Sequence, residues 1–174
     1  MIRPILILSL ICFFVTGILA FVNNLTYPVI ESAAAERAAN ARKEIIPHAD
    51  RFELLKINGL PLNVTQVYRA EYDKGFIFMV TTFGYGGEIK MICGIDPNGN
   101  VIKSAVLAHN ETQGLGTPIF ELPHAGQYWG KDKNGIETID AISGATITSN
   151  AYKNGIRYAL AAFEIVKSHP EGAR

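Results

Sequence analysis

The sequence predicts an α+β fold: one N-terminal transmembrane helix, then a soluble domain in which helices pack on a twisted antiparallel sheet. Three observations predict it. The run from Pro4 to Val22 contains no charged residue. Between residues 67 and 109, four segments rich in β-branched and aromatic residues are separated by short glycine-bearing turns. Near the C-terminus, Tyr152, Ile156, Ala159, Leu160, Phe163 and Val166 recur at helical spacing.

The apolar run comes first. At about 1.5 Å per residue it reaches roughly 28 Å as a helix, close to the hydrocarbon thickness of a bilayer. Arg3 and the amino terminus precede it, and the next charge is Glu31. The positive-inside rule then places the N-terminus in the cytoplasm and the rest outside. A cleaved signal peptide is the alternative, with Ala20 as a passable cleavage position. A single basic residue and a long apolar run favour an uncleaved anchor. No intramembrane charge offers an ion path.

Residues 24–50 follow as a helical stalk. Ser32 to Glu44 is rich in strong helix formers. Pro28 suits the first turn of a new helix, Pro47 ends the segment, and each residue between reads as a solvated helix position. Residues 51–174 form the extracytoplasmic domain, with residues 1–23 as the anchor. Asn58-Gly-Leu-Pro is a turn. The strands are Val67–Tyr72, Gly75–Thr82, Glu88–Ile95 and Val101–His109, with Asp73-Lys-Gly as a hairpin signal and Asp96-Pro-Asn-Gly-Asn as a turn. Short links imply a meander. Asn110–Glu137 is a glycine-rich loop region of the kind that carries sites. A final helix is capped by Thr148 or Ser149 and ended by His169-Pro170.

Composition excludes several classes. The 174 residues are 48% hydrophobic and suit one soluble domain. Lys and Arg number 16, as do Asp and Glu, so no basic surplus or motif points to nucleic acid. The two cysteines are Cys12, in the apolar run, and Cys93. One thiol in the soluble part supports neither a disulfide scaffold nor a cysteine-based metal site. No Gly-x-Gly-x-x-Gly nucleotide fingerprint occurs. No metal ligands and no catalytic residues are assigned.

The segment that carries chemistry is Asp140-Ala-Ile-Ser-Gly-Ala-Thr-Ile-Thr-Ser. Ser143, Gly144 and Ala145 make a small-residue turn that admits close approach to the backbone. The free N–H groups of the helix start favour an anion there. Thr146 and Thr148 offer hydroxyls. Taken alone, the turn reads as a plain helix cap.

This segment resembles the flavinylation motif of FMN-binding domains in the Rnf electron-transport and Na⁺-translocating quinone reductase complexes. The resemblance implies FMN joined by a phosphoester to Thr146, placed there by a flavin transferase. Ser143, Gly144, Ala145 and Thr148 are then cofactor-binding neighbours. Asp140 matches the motif's acidic position, in recognition by the transferase or in fixing the turn. A second segment, His109-Asn-Glu-Thr-Gln-Gly-Leu-Gly, resembles the family's His-x-Glu-Thr-Pro-Gly-Leu-Gly loop, with Gln113 in place of proline. The resemblance implies flavin contacts from Glu111, Thr112, Gly114, Leu115 and Gly116. His109 reads as a satisfied strand-end histidine. Gly84-Tyr-Gly-Gly-Glu-Ile also fits the family pattern, with Tyr85 as a packing residue.

The resemblance spans nearly the whole chain and implies the G subunit of the Rnf complex, which passes electrons between reduced ferredoxin and NAD⁺ with Na⁺ or H⁺ translocation. The flavin would shuttle electrons, one at a time, between partner membrane and iron–sulfur subunits; the chain would not be catalytic alone. The C subunit of the quinone reductase is the alternative, as is another flavinylated extracytoplasmic electron-transfer domain. A hydrolase built on Thr146 or Ser143 would need a base from His48, His109 or His124. An anchored binding domain without cofactor would be colourless.

Overall fold

The computed structural model describes residues 2–49 and 51–169. Met1, which carries the amino terminus, Asp50, and Pro170, expected to stop the last helix, lie outside the described residues. The chain divides into two compact units, Met1–Arg37 and Ala38–Arg174.

The first unit is part of helix α1 (Ile2–Ile45), the one helix among the described residues that is long and apolar enough to cross a membrane. Its large apolar side chains from Ile5 to Val22 are exposed, as suits hydrocarbon surroundings. The expectation that Pro28 opens a second helix does not hold: it lies inside α1. A proline removes one i to i−4 bond and leaves those on either side, so the expected anchor and stalk helices are continuous. The Thr26 hydroxyl adds a local bond, donating to the Val22 carbonyl at 3.0 Å.

The second unit is built on a five-stranded antiparallel meander: β1 (Phe52–Leu55), β2 (Val64–Ala70), β3 (Phe76–Phe83), β4 (Glu88–Ile95) and β5 (Val101–Ala108), each paired with the next. The sequence indicates four of these. It misses β1 because Phe-Glu-Leu-Leu lacks alternation; this strand is defined by pairing with β2, from Phe52 opposite Ala70 to Leu55 opposite Val67. The second strand ends at Ala70, not at Tyr72 as expected. Tyr72 and Asp73 take left-handed φ values of 61° and 51° in the turn to β3, which matches the hand of turn a twisted hairpin favours. The Ala70 N–H closes it on the Gly75 carbonyl at 2.9 Å.

The middle strands are apolar on both faces because both faces are covered. In β3, Phe76, Phe78 and Val80 belong to the main core while Ile77 faces the smaller one; in β4, Met91, Cys93 and Ile95 alternate with Ile92 in the same way. The main core is closed by helix α2 (Thr146–Ser168), which buries all six apolar residues read from its periodicity. The smaller core is closed by the last residue of α1 and the turn that follows it: Ile45, Ile46 and Ala49 are buried against Ala70, Ile77 and Ile92. The expected solvated helix is therefore covered at this end. Gly94 permits this seat, since a Cβ at Gly94 would collide with Ile45. Between β5 and α2 the expected loop folds into three short 3-10 turns, Thr117–Phe120, Ala125–Tyr128 and Gly135–Thr138. Phe120 and Tyr128 pack on Tyr152, with ring centroids 5.8 and 5.4 Å away. The Tyr152 hydroxyl bonds Ser104 at 2.7 Å.

Cys93 sits in the middle of β4, and burial pushes its thiol up to about 12. The thiolate is the reactive form, so Cys93 is expected to resist alkylation in the native chain at neutral pH and to react once unfolded. Peptide mass mapping with and without denaturant checks this, and modification of the native residue would contradict its burial.

Candidate functional site

The sequence makes α2 begin at a turn of small residues. Gly144 takes φ +83°, where only glycine is unstrained, and the helix opens directly after Ala145. The expected caps, Thr148 and Ser149, instead lie inside the first turn. Their hydroxyls are committed elsewhere: Thr148 donates to Glu111 Oε2 at 2.7 Å, and Ser149 Oγ accepts the Ile142 N–H at 3.1 Å. Ala145 occupies the cap position and has no side-chain oxygen to offer the first-turn amides. Thr146 is the first helical residue and is exposed, while Thr148 is 2% exposed.

A second loop meets this turn. The chain leaves β5 at Ala108, and His109 Nδ1 accepts the Glu111 N–H at 3.2 Å, which makes His109 a locally bonded strand-end residue. The Leu115 and Gly116 amides both return to the Thr112 carbonyl, at 3.2 and 2.9 Å. The Gly114 N–H donates to Thr117 Oγ1 at 3.0 Å, so this turn is held without the proline that Gln113 replaces. Leu115 projects into solvent at 52% exposure.

Together these segments frame a cleft of about 450 Å³, within the range of cofactor sites, roughly 300–1,000 Å³. Glu111, Thr112, Leu115, Gly116, Gly144, Ala145, Thr146 and Thr148 line it, so eight of the ten residues read from the sequence converge. Ser143 and Gly114 are not among the lining residues; they shape the two turns from outside. Tyr85 and Ile147 complete the lining, and sequence reasoning misses both. Tyr85 is expected to pack, yet it is 75% exposed. The sequence does hold a signal: an aromatic among three glycines in a turn has little side chain nearby to pack beneath. No histidine lines the cleft. His124 is buried against Tyr128, and its Nε2 has no partner. Burial, then Lys153, lower its pKa and favour the neutral ring. The histidine base expected of a hydrolase is therefore not among the residues lining the cleft with Thr146, and no group of potential metal ligands occurs among the described residues.

A cleft with an apolar wall of Tyr85, Leu115 and Ile147, beside an uncapped helix start bearing a free hydroxyl, suits a molecule that is flat and aromatic at one end and anionic at the other. FMN is such a molecule, and residues 84–161 match the FMN-binding domain family. Within that class, the chain belongs to the family of G subunits of ion-translocating oxidoreductase complexes. It is 31% identical to the G subunit of the ion-translocating oxidoreductase complex of Vibrio cholerae, across 95% of this chain and 90% of that protein. It is 29% identical to the G subunit of the proton-translocating ferredoxin:NAD(+) oxidoreductase complex of Clostridium ljungdahlii, across 88% and 86%. The Na(+)-translocating counterpart from Acetobacterium woodii is 26% identical, across 90% of each chain.

Proposed function

We propose that this chain is the electron-carrying flavoprotein subunit of a membrane ferredoxin:NAD⁺ oxidoreductase coupled to ion translocation, with FMN esterified through its phosphate to Thr146. The observation that carries the reading is the uncapped start of α2: an exposed threonine hydroxyl stands beside first-turn amides that no side chain caps, next to an apolar cleft. A phosphate on Thr146 would lie at the positive end of α2 and accept those N–H groups. When bound, FMN would supply the electron transfer; the protein's part is position and environment.

The residues divide that work. Thr146 anchors, and Gly144 and Ala145 leave room beside the phosphate. Leu115, Ile147 and Tyr85 exclude water from the ring. Thr112, Gly116 and the neighbouring backbone meet its polar edges. Glu111 and Thr148 hold the two turns together. A flavin transferase loads the chain, and neighbouring membrane and iron–sulfur subunits exchange electrons with it. The anchor is residues 1–23, the N-terminus is cytoplasmic, and the domain of residues 51–174 faces the outside. An ester bond suits a domain there, because weakly held flavin would be lost by dilution.

The test is to coexpress the full chain with a flavin transferase, export it and digest it. The peptide containing Thr146 is expected to carry the mass of FMN less one water. An unmodified peptide, beside a control protein modified by the same transferase, would sink the covalent reading.

A further inference from the structure

Three segments meet on one carboxylate. Glu111 is 8% exposed. Its Oε1 accepts the Gly86 N–H at 2.9 Å, and its Oε2 accepts the Thr148 hydroxyl at 2.7 Å. The surroundings leave it no freedom. A Cβ at Gly84 would collide with Oε1, and one at Gly116 would stand 2.9 Å from Glu111 Cβ. A Cβ at Gly86 would meet the Asn110 carbonyl.

The two groups that Glu111 joins carry different parts of the site. Gly86 belongs to the turn between β3 and β4, closed by the Gly84 N–H on the Gly87 carbonyl at 2.8 Å. That turn presents Tyr85, the sole aromatic side chain in the cleft lining. Thr148 lies on α2, two residues after Thr146. Tyr85 is too exposed for its own packing to fix it, so its place depends on the backbone that carries it. That backbone is tied to the attachment turn through Glu111.

We infer that Tyr85 packs its ring against the flavin carried by Thr146, and that Glu111 is a positioning residue that holds the aromatic turn in register with the attachment turn. The inference rests on the FMN reading above. It concerns geometry and not charge. Glutamine at 111 can accept the Gly86 N–H and donate to the Thr148 oxygen, whereas alanine loses both bonds. Aromatic rings favour offset contact with other π systems. An electron-rich phenol in such contact also quenches flavin emission, which a benzene ring or an alkyl group does poorly.

The experiment uses the full chain loaded by a flavin transferase. Wild type, Tyr85→Leu, Tyr85→Phe, Glu111→Ala, Glu111→Gln and Thr148→Val are compared. Covalent flavin on denaturing gels is measured first, then the ratio of native to denatured emission, then the midpoint potential. Every variant keeps Thr146 and is expected to load. Wild type should be several-fold dimmer native than denatured. Tyr85→Leu and Tyr85→Phe should abolish most of that difference, with the potential shifted in Leu and kept in Phe. Glu111→Ala should brighten as Tyr85→Leu does, and Glu111→Gln should restore the quenching. If Glu111→Ala does not fold, Thr148→Val removes one end of the same tie and should brighten partway. An unchanged ratio in loaded Tyr85→Leu overturns the inference and leaves the FMN reading intact, as does Glu111→Gln behaving like Glu111→Ala. A wild type without covalent flavin overturns both.

Discussion

Thr146→Ala carries no flavin that survives denaturation, and none of the neighbouring hydroxyls takes over. This is the expected result from the geometry of the first turn of α2. Thr148 is 2% exposed and donates its hydroxyl to Glu111 at 2.7 Å. Ser149 is equally buried, and its oxygen accepts the Ile142 N–H at 3.1 Å. A transferase must reach its acceptor oxygen; freeing Thr148 breaks a buried hydrogen bond, at about 1–3 kcal/mol, and freeing Ser149 breaks a part-buried one. Ser143 is exposed, but it lies before the left-handed Gly144 and outside the cleft lining. Thr146→Ser keeps the oxygen at the same position and is expected to load. Ultraviolet fluorescence on denaturing gels separates the cases. Flavin retained in Thr146→Ala, mapped to Thr148, would show that burial does not select the acceptor.

Gly155→Val is expected to destabilise the domain by overpacking the contact between α2 and the sheet. Gly155 faces the sheet at close range: a Cβ there would collide with Met91 Sδ and stand 3.2 Å from Thr82 Cγ2. Met91 is fully buried in β4 and has no empty space to enter. Alanine at 155 would gain about 1 kcal/mol in helix propensity, which offsets part of the steric cost. Valine adds two methyl groups to the crowded side and gains less propensity, so overpacking of about 1–3 kcal/mol or more goes uncompensated. In a fold of this size each kcal/mol moves Tm by roughly 2–8 °C. The ranking glycine, alanine, valine should appear in thermal unfolding of the full chain in detergent. Met91→Ala combined with Gly155→Val should cost less than the sum of the two. Strict additivity would mean the two side chains do not compete for the same space.

The outline of the domain is legible in the sequence because its strong signals are local. β3, β4 and β5 are long, β-branched and bounded by glycine turns, and α2 has a clear apolar face. β1 is not legible, because a four-residue strand exists only through its partner. The seat of α1 on the sheet is hidden for a related reason. Ile45, Ile46 and Ala49 lie beside Pro47 at the edge of a helical pattern, and only the complementary gap at Gly94 shows what they cover. At the site, the two motifs converge on one cleft. The helix cap is misjudged if side-chain oxygens are assumed to serve the nearest backbone, since Thr148 serves Glu111, 37 residues earlier in the chain. Tyr85 is misjudged because an aromatic residue in sequence says nothing about whether anything covers it.

The alanine at the cap of α2 has a consequence for maturation. Most helices are finished by their own sequence, through a serine, threonine or aspartate placed before the first turn. Here that position has no side-chain oxygen, and on the phosphoester reading the group that would complete the turn arrives from outside, on the side chain one residue later. On the phosphoester reading, loading the chain is also the last step of its folding. The first amides of α2 would then lack a side-chain partner until the new phosphate accepted them. Modification and local order then rise together, so an unloaded chain would differ from a loaded one in structure as well as in colour.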